Sequence, residues 1–474
     1  MSAVDSNPEA AGTAPDRRRE QRGWCWYDWA NSVFPTSVTT VFLSLYLTGV
    51  AKDAARADVA RNGPDACAGG SLDQCDVSFL GAQFPAGSLW GYLLSIATVV
   101  QVLVLPVTGA IADRTQNKRA MLAGFAFTGS AATAALAFVT GTNWQLGVLL
   151  FIIANICYGG SIVVYYSFLT EIATPDERDA VSTRGWAFGY LGGGVALAIQ
   201  LALFTFHEEV GLGAGVEGEL VAARVAFVLS GLWWAGFTFI PLTRLKRHQA
   251  PHGSESGASV LIAGFKELKQ TFTSARMFPL TLAFLATYLI YTDGISTVAN
   301  VSAQYGREEL KLDQTVLITT ILIVQFVAFF GGLIHGWGAR RWGAKRTIQI
   351  SLLVWIVVVG AAYFVQAGQQ LQFYALAAGI GIVLGGTNAL SRSIFSQMVP
   401  PGREAQYFSL YEIGERSTSW LGPLVFAGVG QATGSFRLAI ISLVIFFVVG
   451  FVLLIFVPVK RAIEASGNAI PAKV

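Results

Sequence analysis

Long apolar runs separated by short polar stretches make up most of the sequence. Each run holds about 20 residues or more, the length that an α-helix needs to cross the hydrocarbon core of a bilayer. The pattern predicts twelve transmembrane helices, numbered here as spans 1 to 12, and an all-α polytopic membrane protein. The predicted spans cover residues 25–49, 87–111, 120–140, 144–169, 184–206, 223–242, 278–303, 315–337, 347–366, 372–398, 405–430 and 436–458.

A longer polar break between spans 6 and 7 divides the spans into two sets of six. Near its end, Leu261, Phe265, Leu268 and Phe272 recur at helical spacing with charged residues on the other face, which is typical of a helix lying on a membrane surface. The predicted parts are a disordered tail, an N-terminal half, a linker, a C-terminal half and a second tail. They cover residues 1–23, 24–242, 243–277, 278–459 and 460–474.

The composition is that of a membrane protein. The 474 residues are 53% hydrophobic and 13% charged, whereas a soluble domain has about 25% charged residues. Most of the 32 Lys and Arg residues fall in the tails and loops on the side of the termini, so the positive-inside rule predicts that both termini are cytoplasmic. These basic residues are spread over several loops and form no single patch, which argues against a nucleic-acid partner.

Two cysteines, Cys67 and Cys75, flank a polar loop between spans 1 and 2. The predicted orientation places this loop outside the cytoplasm, where disulfides persist, so we expect these two residues to be bonded. Their spacing fits no common zinc site, and we predict neither a metal nor a cofactor.

The loop between spans 2 and 3 reads G-A-I-A-D-R-T-Q-N-K-R and contains Gly109, Asp113, Arg114, Lys118 and Arg119. A hairpin this short makes the two spans antiparallel neighbours. Gly109 permits close backbone approach, and Asp113 can accept hydrogen bonds from the N-terminus of an adjacent helix. The alternative is a basic loop that only snorkels at the membrane surface.

A second copy of this loop follows span 8, with Arg340, Arg341 and Arg346, which indicates that the two sets of six spans are repeats. Further pairs in the same order are Gly159-Gly160 with Gly385-Gly386, Asp28 with Asp293, and Pro241 with Pro458. We therefore expect two pseudo-symmetric six-helix halves. Because Arg340 replaces the aspartate of the first loop, the gating hydrogen bond is expected from the first half.

The first loop resembles the signature between the second and third helices of the major facilitator superfamily. Residues 27–34 (Y-D-W-A-N-S-V-F), 177–194 (E-R-D-A-V-S-T-R-G-W-A-F-G-Y-L-G-G-G) and 389–400 (A-L-S-R-S-I-F-S-Q-M-V-P) resemble its vacuole-effluxer-like branch. The resemblance implies a transporter that works by alternating access, with spans 1, 4, 7 and 10 lining a central cavity. It associates amino-acid efflux with the fungal relatives.

Charged and polar side chains inside spans are costly, at about 2.5–3.5 kcal/mol for an ionisable group, and so mark candidate sites. Asp293 or Glu412, with Glu415 on the same face as Glu412, is the hypothesised proton-coupling acid, since a buried carboxylate can carry a proton. Arg392 is expected to bind an anionic group such as a carboxylate. The alternative is that Arg392, Glu412, Glu415 and Arg416 only neutralise one another. The candidate substrate or cavity residues are Asp28, Asn31, Tyr165, Tyr166, Asp293, Thr297, Asn300, Asn388 and Arg392.

Gating is assigned to the two repeated loops and to Glu171, which follows span 4. Glu171 is hypothesised to form a latch with Arg114 or Arg119, against the alternative of a solvated turn. Glycines at every fourth position of span 5, from Gly185 to Gly193, indicate either tight helix packing or a hinge. The candidate gating residues are Gly109, Asp113, Arg114, Lys118, Arg119, Glu171, Arg340, Arg341 and Arg346.

The expected function is secondary active transport of a small polar or amphipathic organic solute, such as an amino acid or a related carboxylate. Zinc-protease, serine-hydrolase and phosphate-loop motifs are absent from the sequence, so we expect no enzyme activity. The driving force is expected to be a proton or ion gradient, and the partners to be membrane lipid and the solute. We expect a monomer in the cytoplasmic membrane of a bacterium. The alternatives are a lipid or glycolipid translocase of the same fold and a non-transporting sensor or scaffold.

Overall fold

The computed structural model of the chain describes residues 14–63, 67, 75–79, 82–114, 117–246 and 277–474. Most of these residues are helical, because a helix satisfies its own backbone hydrogen bonds where lipid offers none. Within the described part of the chain, eleven helices are long and apolar enough to cross a membrane. Span 11 is the twelfth crossing and is interrupted. The predicted surface helix at 261–272 lies outside the described residues.

The spans follow the order predicted from the sequence. Span 1 comprises Ala14–Asn31, the π-helical segment Phe34–Phe42 and Leu43–Ala57, and spans 2 to 6 are Leu89–Arg114, Lys118–Ala135, Trp144–Ser167, Arg178–Thr205 and Gly215–Arg244. Spans 7 to 12 are Pro279–Glu308, Gln314–Trp342, Ala344–Ala362, Gln370–Gln397, Glu404–Thr418 with Leu421–Thr433, and Phe436–Ser442 with Val444–Phe456. Short helices lie at Val59–Asn62, Ala86–Ser88, Leu136–Phe138, Leu169–Ile172 and Val459–Ala465.

The first half and the second half are joined by two equivalent crossings. Spans 2 and 11 approach so closely that a Cβ atom on Gly109 would lie 2.6 Å from the carbonyl oxygen of Ala405. Spans 8 and 5 make the corresponding crossing, where a Cβ atom on Gly336 would lie 2.5 Å from the Thr183 hydroxyl oxygen. This arrangement is the one expected of two pseudo-symmetric six-helix halves.

Span 1 begins at Ala14, inside the tail that the sequence predicts to be disordered over residues 1–23. Gln21 is buried and its Nε2 donates to Glu177, between spans 4 and 5, at 3.1 Å. Arg17 forms an ion pair with the same carboxylate at 3.4 Å. Burial alone would raise the pKa of Glu177, but a backbone N–H of its own turn and the Arg17 guanidinium lower it. These contacts hold the polar start of span 1 against the bundle as a helix.

Span 1 changes its helical geometry at Pro35, which has no backbone N–H to donate. The segment Phe34–Phe42 is a π-helix, and the N–H of Leu43 bonds to the carbonyl of Val38, five residues earlier. Such wide turns are rare and often lie at functional sites. The segment follows directly after the polar stretch that carries Asp28.

Span 11 is two helices, whereas the sequence predicts one helix over 405–430. The chain leaves the first helix at Thr418 and starts the second at Leu421. A helix start exposes N–H groups without intrahelical partners. One of them, at Gly422, donates to Asp293 Oδ2 of span 7 at 2.7 Å. Asp293 therefore caps the second helix of span 11.

Both ends of the described chain meet on one side of the bundle, called here the terminal side. Residues 466–474, called here the C-terminal strap, pack across this side. Asn468 Nδ2 donates to the carbonyl of Gln397, at the end of span 10, at 2.8 Å. The backbone N–H of Ala472 donates to Asp176 of the first half at 2.6 Å. The predicted tail 460–474 is thus folded onto the bundle and bridges its two halves.

The other side, called here the opposite side, carries a small hairpin between spans 1 and 2. Strands β1 (Asp76–Phe79) and β2 (Ala82–Pro85) are antiparallel, with Asp76 opposite Pro85 and Phe79 opposite Ala82. A disulfide joins Cys67 and Cys75, the pair singled out from the sequence, with their Cα atoms 5.2 Å apart.

Candidate functional site

An ion pair between the halves lies where spans 1, 4, 5 and 10 meet, near the terminal-side ends of spans 4, 5 and 10. Asp28 of span 1 lies with its Oδ2 3.6 Å from Nη1 of Arg392 in span 10, and Arg392 is wholly buried. The Tyr165 hydroxyl donates to the same carboxylate oxygen at 2.7 Å. Ser182 of span 5 accepts from the guanidinium through its hydroxyl and its carbonyl, both at 2.9 Å. Buried charges are stable only with such partners, so this cluster ties span 1 to span 10.

Aromatic rings surround the guanidinium of Arg392. Its Cζ lies 4.8 Å from the Trp24 ring centroid, 4.7 Å from that of Tyr166 and 5.7 Å from that of Trp186, within cation–π range. Tyr165 is fully buried and stacks on Trp24 at 4.3 Å. Tyr165 is therefore not exposed to a solute in this structure, contrary to the prediction. Its ring packs against Trp24 and its hydroxyl donates to Asp28.

In this closed arrangement the anion held by Arg392 is Asp28, which neither interpretation of the sequence named. They assigned it to an anionic group of a solute or to a network with span 11. Glu412 pairs with Arg416 on its own helix at 3.2 Å, and Glu415 accepts from a tyrosine hydroxyl of span 7 at 2.8 Å. Glu412 is thus paired within span 11, Glu415 has a neutral partner from span 7, and Arg392 is paired with span 1.

The polar stripe of span 1 packs against the glycine stripe of span 5. A Cβ atom on Gly185 would lie 2.6 Å from Asp28 Oδ2, and one on Gly193 would lie 2.9 Å from the Thr36 hydroxyl oxygen. Any larger side chain would displace the polar groups of span 1. Of the two interpretations of these glycines, the structure favours tight packing.

A cavity of about 250 Å³, called here the central cavity, lies beside the ion pair between spans 1, 4, 5 and 8. Asp28 and Tyr166 contribute to its wall. Three further lining residues, Asn31, Trp186 and Gln325, each carry a buried polar atom without a hydrogen-bond partner among the described residues. Leaving such atoms unpaired costs about 1–3 kcal/mol each, so a solute with matching polar groups gains affinity here.

A second cavity of about 360 Å³, called here the outer cavity, lies between spans 7, 8 and 10, toward the opposite side. Its wall is mostly apolar, with Phe373 among the lining residues and Asn300 among the few polar ones. Tyr190 and Gln325 line both cavities, so the polar chamber and the apolar chamber adjoin.

Of the three candidate cavity residues on span 7, Asn300 lines a cavity. Asp293 and Thr297 line neither cavity, because both face the break in span 11, where Thr297 packs against Gly422. No basic side chain among the described residues pairs with Asp293. Asn388 accepts from a threonine hydroxyl of span 7 at 3.3 Å and joins spans 7 and 10.

Asp113 closes the terminal side between spans 2 and 11. Its two carboxylate oxygens accept the backbone N–H groups of Ala405 and Gln406, each at 2.9 Å. This is the interaction with a helix N-terminus that the loop sequence suggests, and its partner belongs to the other half. Lys118 Nζ lies 3.9 Å from Asp113 and 2.5 Å from Glu171. The charge of Lys118 therefore stabilises the carboxylate of Asp113, which caps span 11.

The latch partner of Glu171 is Lys118, which corrects the hypothesis that named Arg114 or Arg119. Lys118 is the first residue of span 3, and its side chain is turned into the bundle and only 8% exposed. Arg119 is rotated by about 100° around the helix from it. Its guanidinium bonds to the backbone carbonyl that follows span 6, at 3.3 Å.

Spans 5 and 10 form a second contact between the halves on the terminal side. Arg178 Nη1 donates to the carbonyl of Ser396 at 2.9 Å, and the Ser393 hydroxyl donates to Asp179 Oδ1 at 2.6 Å. Together with the Asp113 cap, these bonds close the terminal side, whereas both cavities lie deeper in the bundle.

The second loop copy is bound by the C-terminal strap. Lys473 Nζ donates to the backbone carbonyls of Arg340 and Arg341 at 3.0 and 3.2 Å, at the end of span 8. A lysine at a helix C-terminus suits the negative end of the helix dipole. Arg346 is exposed. The second loop copy therefore has no counterpart of Asp113. The C-terminal strap binds the end of span 8 instead.

Several site residues were missed from the sequence, among them Ser182, Trp186, Tyr190 and Gln325. Gln325 is a single polar residue in an otherwise apolar run, and Gln101 holds a similar place in span 2, where it bonds to the carbonyl of Asn155. Isolated polar residues of this kind are a usable signal, because lipid-facing positions exclude them.

The sequence resembles a described family over nearly its whole length. Residues 16–467 match the family described as "Vacuole effluxer Atg22 like". The MFS-type transporter YxiO of Bacillus subtilis is 30% identical over 449 residues, which cover 94% of this chain and 97% of that protein. Autophagy-related protein 22-1 of Penicillium rubens is 26% identical over 544 residues, with 95% and 91% covered.

Solved structures resemble the fold at low sequence identity. The Major Facilitator Superfamily (MFS) transporter FucP, in its outward conformation, gives a TM-score of 0.61 at 14% identity, covering 93% of this chain and 99% of that one. The human organic anion transporter MFSD10 (TETRAN) gives 0.62 at 15% identity, covering 92% and 99%. At these identities the likeness concerns the fold alone.

Proposed function

Since the chain belongs to the Atg22-like vacuole effluxer family of the major facilitator superfamily, we propose that it is a proton-coupled secondary transporter of a small polar or amphipathic organic solute. The proposed binding site is the central cavity. The observation that supports it most is the set of three unpaired polar atoms, on Asn31, Trp186 and Gln325, beside a buried ion pair. These three atoms belong to residues that line one cavity, whereas other unpaired buried atoms, such as Nε1 of Trp355, lie away from it.

An amino acid or a related carboxylate suits this site. Alternating access requires the two halves to separate on the terminal side, and this movement pulls Asp28 away from Arg392. An ammonium group can then neutralise Asp28 and a carboxylate can neutralise Arg392, so a bound zwitterion offsets the cost of parting two buried charges. The apolar outer cavity beyond Tyr190 and Gln325 accommodates an apolar side chain.

The proposed cycle starts from a state closed on the terminal side, with solute entering from the opposite side. Breaking the Asp113 cap and the contacts between spans 5 and 10 then opens the terminal side. By the positive-inside rule, the terminal side is assigned to the cytoplasm of a bacterial cell.

Solute counterflow into proteoliposomes tests the site, using a panel of amino acids and related carboxylates. We expect Trp186→Phe to weaken the apparent affinity for the solute about 10-fold. The substitution removes an N–H that is available to the solute, and a 10-fold change corresponds to about one hydrogen bond. The melting temperature should fall no more than in Trp355→Phe, since the N–H of Trp186 has no partner among the described residues and its ring is less buried than that of Trp355. Trp355→Phe is the matched control, because Trp355 also carries a buried unpaired N–H but packs on Phe447, away from the cavity. Equal effects of the two substitutions would exclude this site.

Proton coupling is assigned to Asp293 or Glu412, with Glu415 as a neighbour. The measurement is counterflow and gradient-driven uptake at several pH values for Asp293→Asn and Glu412→Gln. Loss of the pH dependence in one of them identifies the coupling acid. If the pH dependence survives in both, neither group carries the proton, and Asp28, which lines the central cavity, becomes the candidate.

A further inference from the structure

Four arginines from two helices converge at the terminal side, around a cleft of about 580 Å³. Arg18, Arg19 and Arg22 come from the polar start of span 1, and Arg244 comes from the end of span 6. The close crossing of these helices brings them together, since a Cβ atom on Gly23 would lie 2.6 Å from the Cβ of Arg244. This group is called here the arginine cleft.

The acidic residues nearest in sequence do not neutralise the arginine cleft. Asp16 forms an ion pair with Lys246 Nζ at 3.0 Å, and Glu20 is buried and accepts the backbone N–H of Lys246 at 2.7 Å. None of the four guanidinium groups lining the cleft has a hydrogen bond or an ion pair with a described residue. Four guanidinium charges outnumber the carboxylates beside them and repel one another, and a bound anion would relieve that repulsion.

A patch of aromatic rings lies on the same two helices, on the membrane side of the cleft. Trp26 stacks on Phe237 at 5.7 Å between centroids, and Trp29 stacks on Trp233 at 5.6 Å. All four rings are half-buried. Trp26 and Trp29 follow Arg22 by one and two helical turns, the depth at which aromatic residues mark the border of a bilayer.

We propose that the arginine cleft binds the phosphate group of an anionic membrane lipid, with the glycerol and upper acyl region against the aromatic patch. One guanidinium group can donate two parallel hydrogen bonds to two oxygens of a phosphate, which an ammonium group cannot. Arginine is therefore favoured over lysine at such a site. The aromatic patch distinguishes a lipid from a soluble phosphate, because a free anion would contact the arginines alone. This proposal does not depend on the identity of the transported solute.

The test uses the full chain in detergent, titrated with phosphatidylglycerol and, in parallel, with phosphatidylcholine of the same acyl chains. Bound lipid is counted by native mass spectrometry. We expect Arg22→Gln with Arg244→Gln to weaken phosphatidylglycerol binding about 30-fold, which corresponds to about 1 kcal/mol for each arginine. The control is Lys460→Gln with Arg461→Gln, which removes the same charge from exposed positions after span 12. It should leave binding unchanged.

Folding is followed by the melting temperature without added lipid, which the Arg22 and Arg244 variant should keep or raise as repulsion falls. Arg22→Lys with Arg244→Lys should retain part of the affinity. Equal binding of the two lipids to the unaltered protein, or undiminished phosphatidylglycerol binding by the glutamine variant, would overturn the proposal. Displacement of phosphatidylglycerol by millimolar inorganic phosphate would show a soluble-anion site and would overturn the assignment to lipid.

Discussion

The guanidinium of Arg392 is fully buried, and its stability rests on a small number of partners. Desolvating an ion costs several kcal/mol even after the protein relaxes, and this cost is offset only by good local pairing. Asp28 supplies the opposite charge, Ser182 accepts two hydrogen bonds, and the rings of Trp24 and Tyr166 flank the cation. Because Asp28 and Arg392 belong to different halves, the same contacts stabilise the fold and resist the proposed movement.

Replacing Asp28 by asparagine should be strongly destabilising. The variant leaves the Arg392 charge without a carboxylate, and breaking a buried pair costs about 3–5 kcal/mol. The measurement is thermal unfolding of the purified protein. Asp53→Asn is the control, because Asp53 forms an exposed pair with Arg56 at 2.8 Å and should change stability by less than about 1 kcal/mol.

A double variant separates charge pairing from loss of packing. Asp28→Asn combined with Arg392→Leu removes both charges, so it should be less destabilised than the sum of the two single variants. If Asp28→Asn costs no more than Asp53→Asn, the central pair contributes little and its proposed role in transport fails with it.

Spans 2 and 11 meet through backbone atoms, so their contact cannot adapt to a larger residue. Gly109→Ala would place its Cβ 2.6 Å from the carbonyl oxygen of Ala405. Overpacking of this kind costs about 1–3 kcal/mol, and here it would destabilise the state closed on the terminal side. We expect Ser396→Cys, a buried reporter at the end of span 10, to react with maleimide about 5- to 150-fold faster in the alanine variant.

Maleimide labelling of Ser396→Cys is measured in a background in which the free cysteines Cys25 and Cys157 are changed to alanine. The disulfide stays intact in this background. Gly124→Ala in span 3 is the matched control, because nothing lies within 4 Å of the added Cβ. Equal labelling rates in the two alanine variants would contradict the idea that the crossing of spans 2 and 11 closes the terminal side.

The positions of the spans could be predicted from the sequence because hydropathy alone decides where a chain crosses lipid. The interruption of span 11 could not, even though its first helix, Glu404–Thr418, is much less apolar than its second, Leu421–Thr433. Gly422 followed by Pro423 was the local signal, and its meaning depended on Asp293 of span 7 being close enough to cap the new helix. The helical start of span 1 was missed for the same reason, since Gln21 and Arg17 are ordered by Glu177, far along the chain.

The candidate site was predicted in its residue types more than in its pairings. Asp28 and Asn31 could be chosen because polar residues inside spans are costly and lie along one helix face, and Tyr166 because an aromatic ring can stack against a solute. Which anion Arg392 meets depends on how two halves dock, and no local pattern records that. The Lys118–Glu171 pair was missed because neighbouring basic residues on a helix point about 100° apart, a distinction that a loop motif does not make.

The C-terminal strap couples the two halves on the terminal side through few bonds. Among the described residues, the bond from Ala472 to Asp176 is the strap's one hydrogen bond to the first half, whereas Asn468 and Lys473 hold the strap to the second. Asp176→Ala should therefore increase maleimide labelling at Ser396→Cys about 2- to 10-fold, the equivalent of one hydrogen bond.

Removing residues 467–474, which is the strap without its first residue, should increase labelling at least as much as Asp176→Ala. It should also lower the melting temperature, because the contacts of Asn468 and Lys473 with the second half are lost as well. Glu464→Gln, exposed on the helix before the strap, is the control and should change neither quantity. A truncated protein that labels at the unaltered rate would show that the strap only covers the bundle and does not hold it closed.

The π-helical segment of span 1 is a place where the number of residues per helical turn can change. A π-helix holds more residues in each turn than an α-helix, so tightening Phe34–Phe42 to α-helical bonding would pass a residue onward. Every side chain beyond Leu43 would then swing by about 100° around the axis, while Asp28 and Asn31 stayed in place. Rotation of the outer part of span 1 about its own axis would thus change which side chains face the opening on the opposite side. The two halves would not need to tilt.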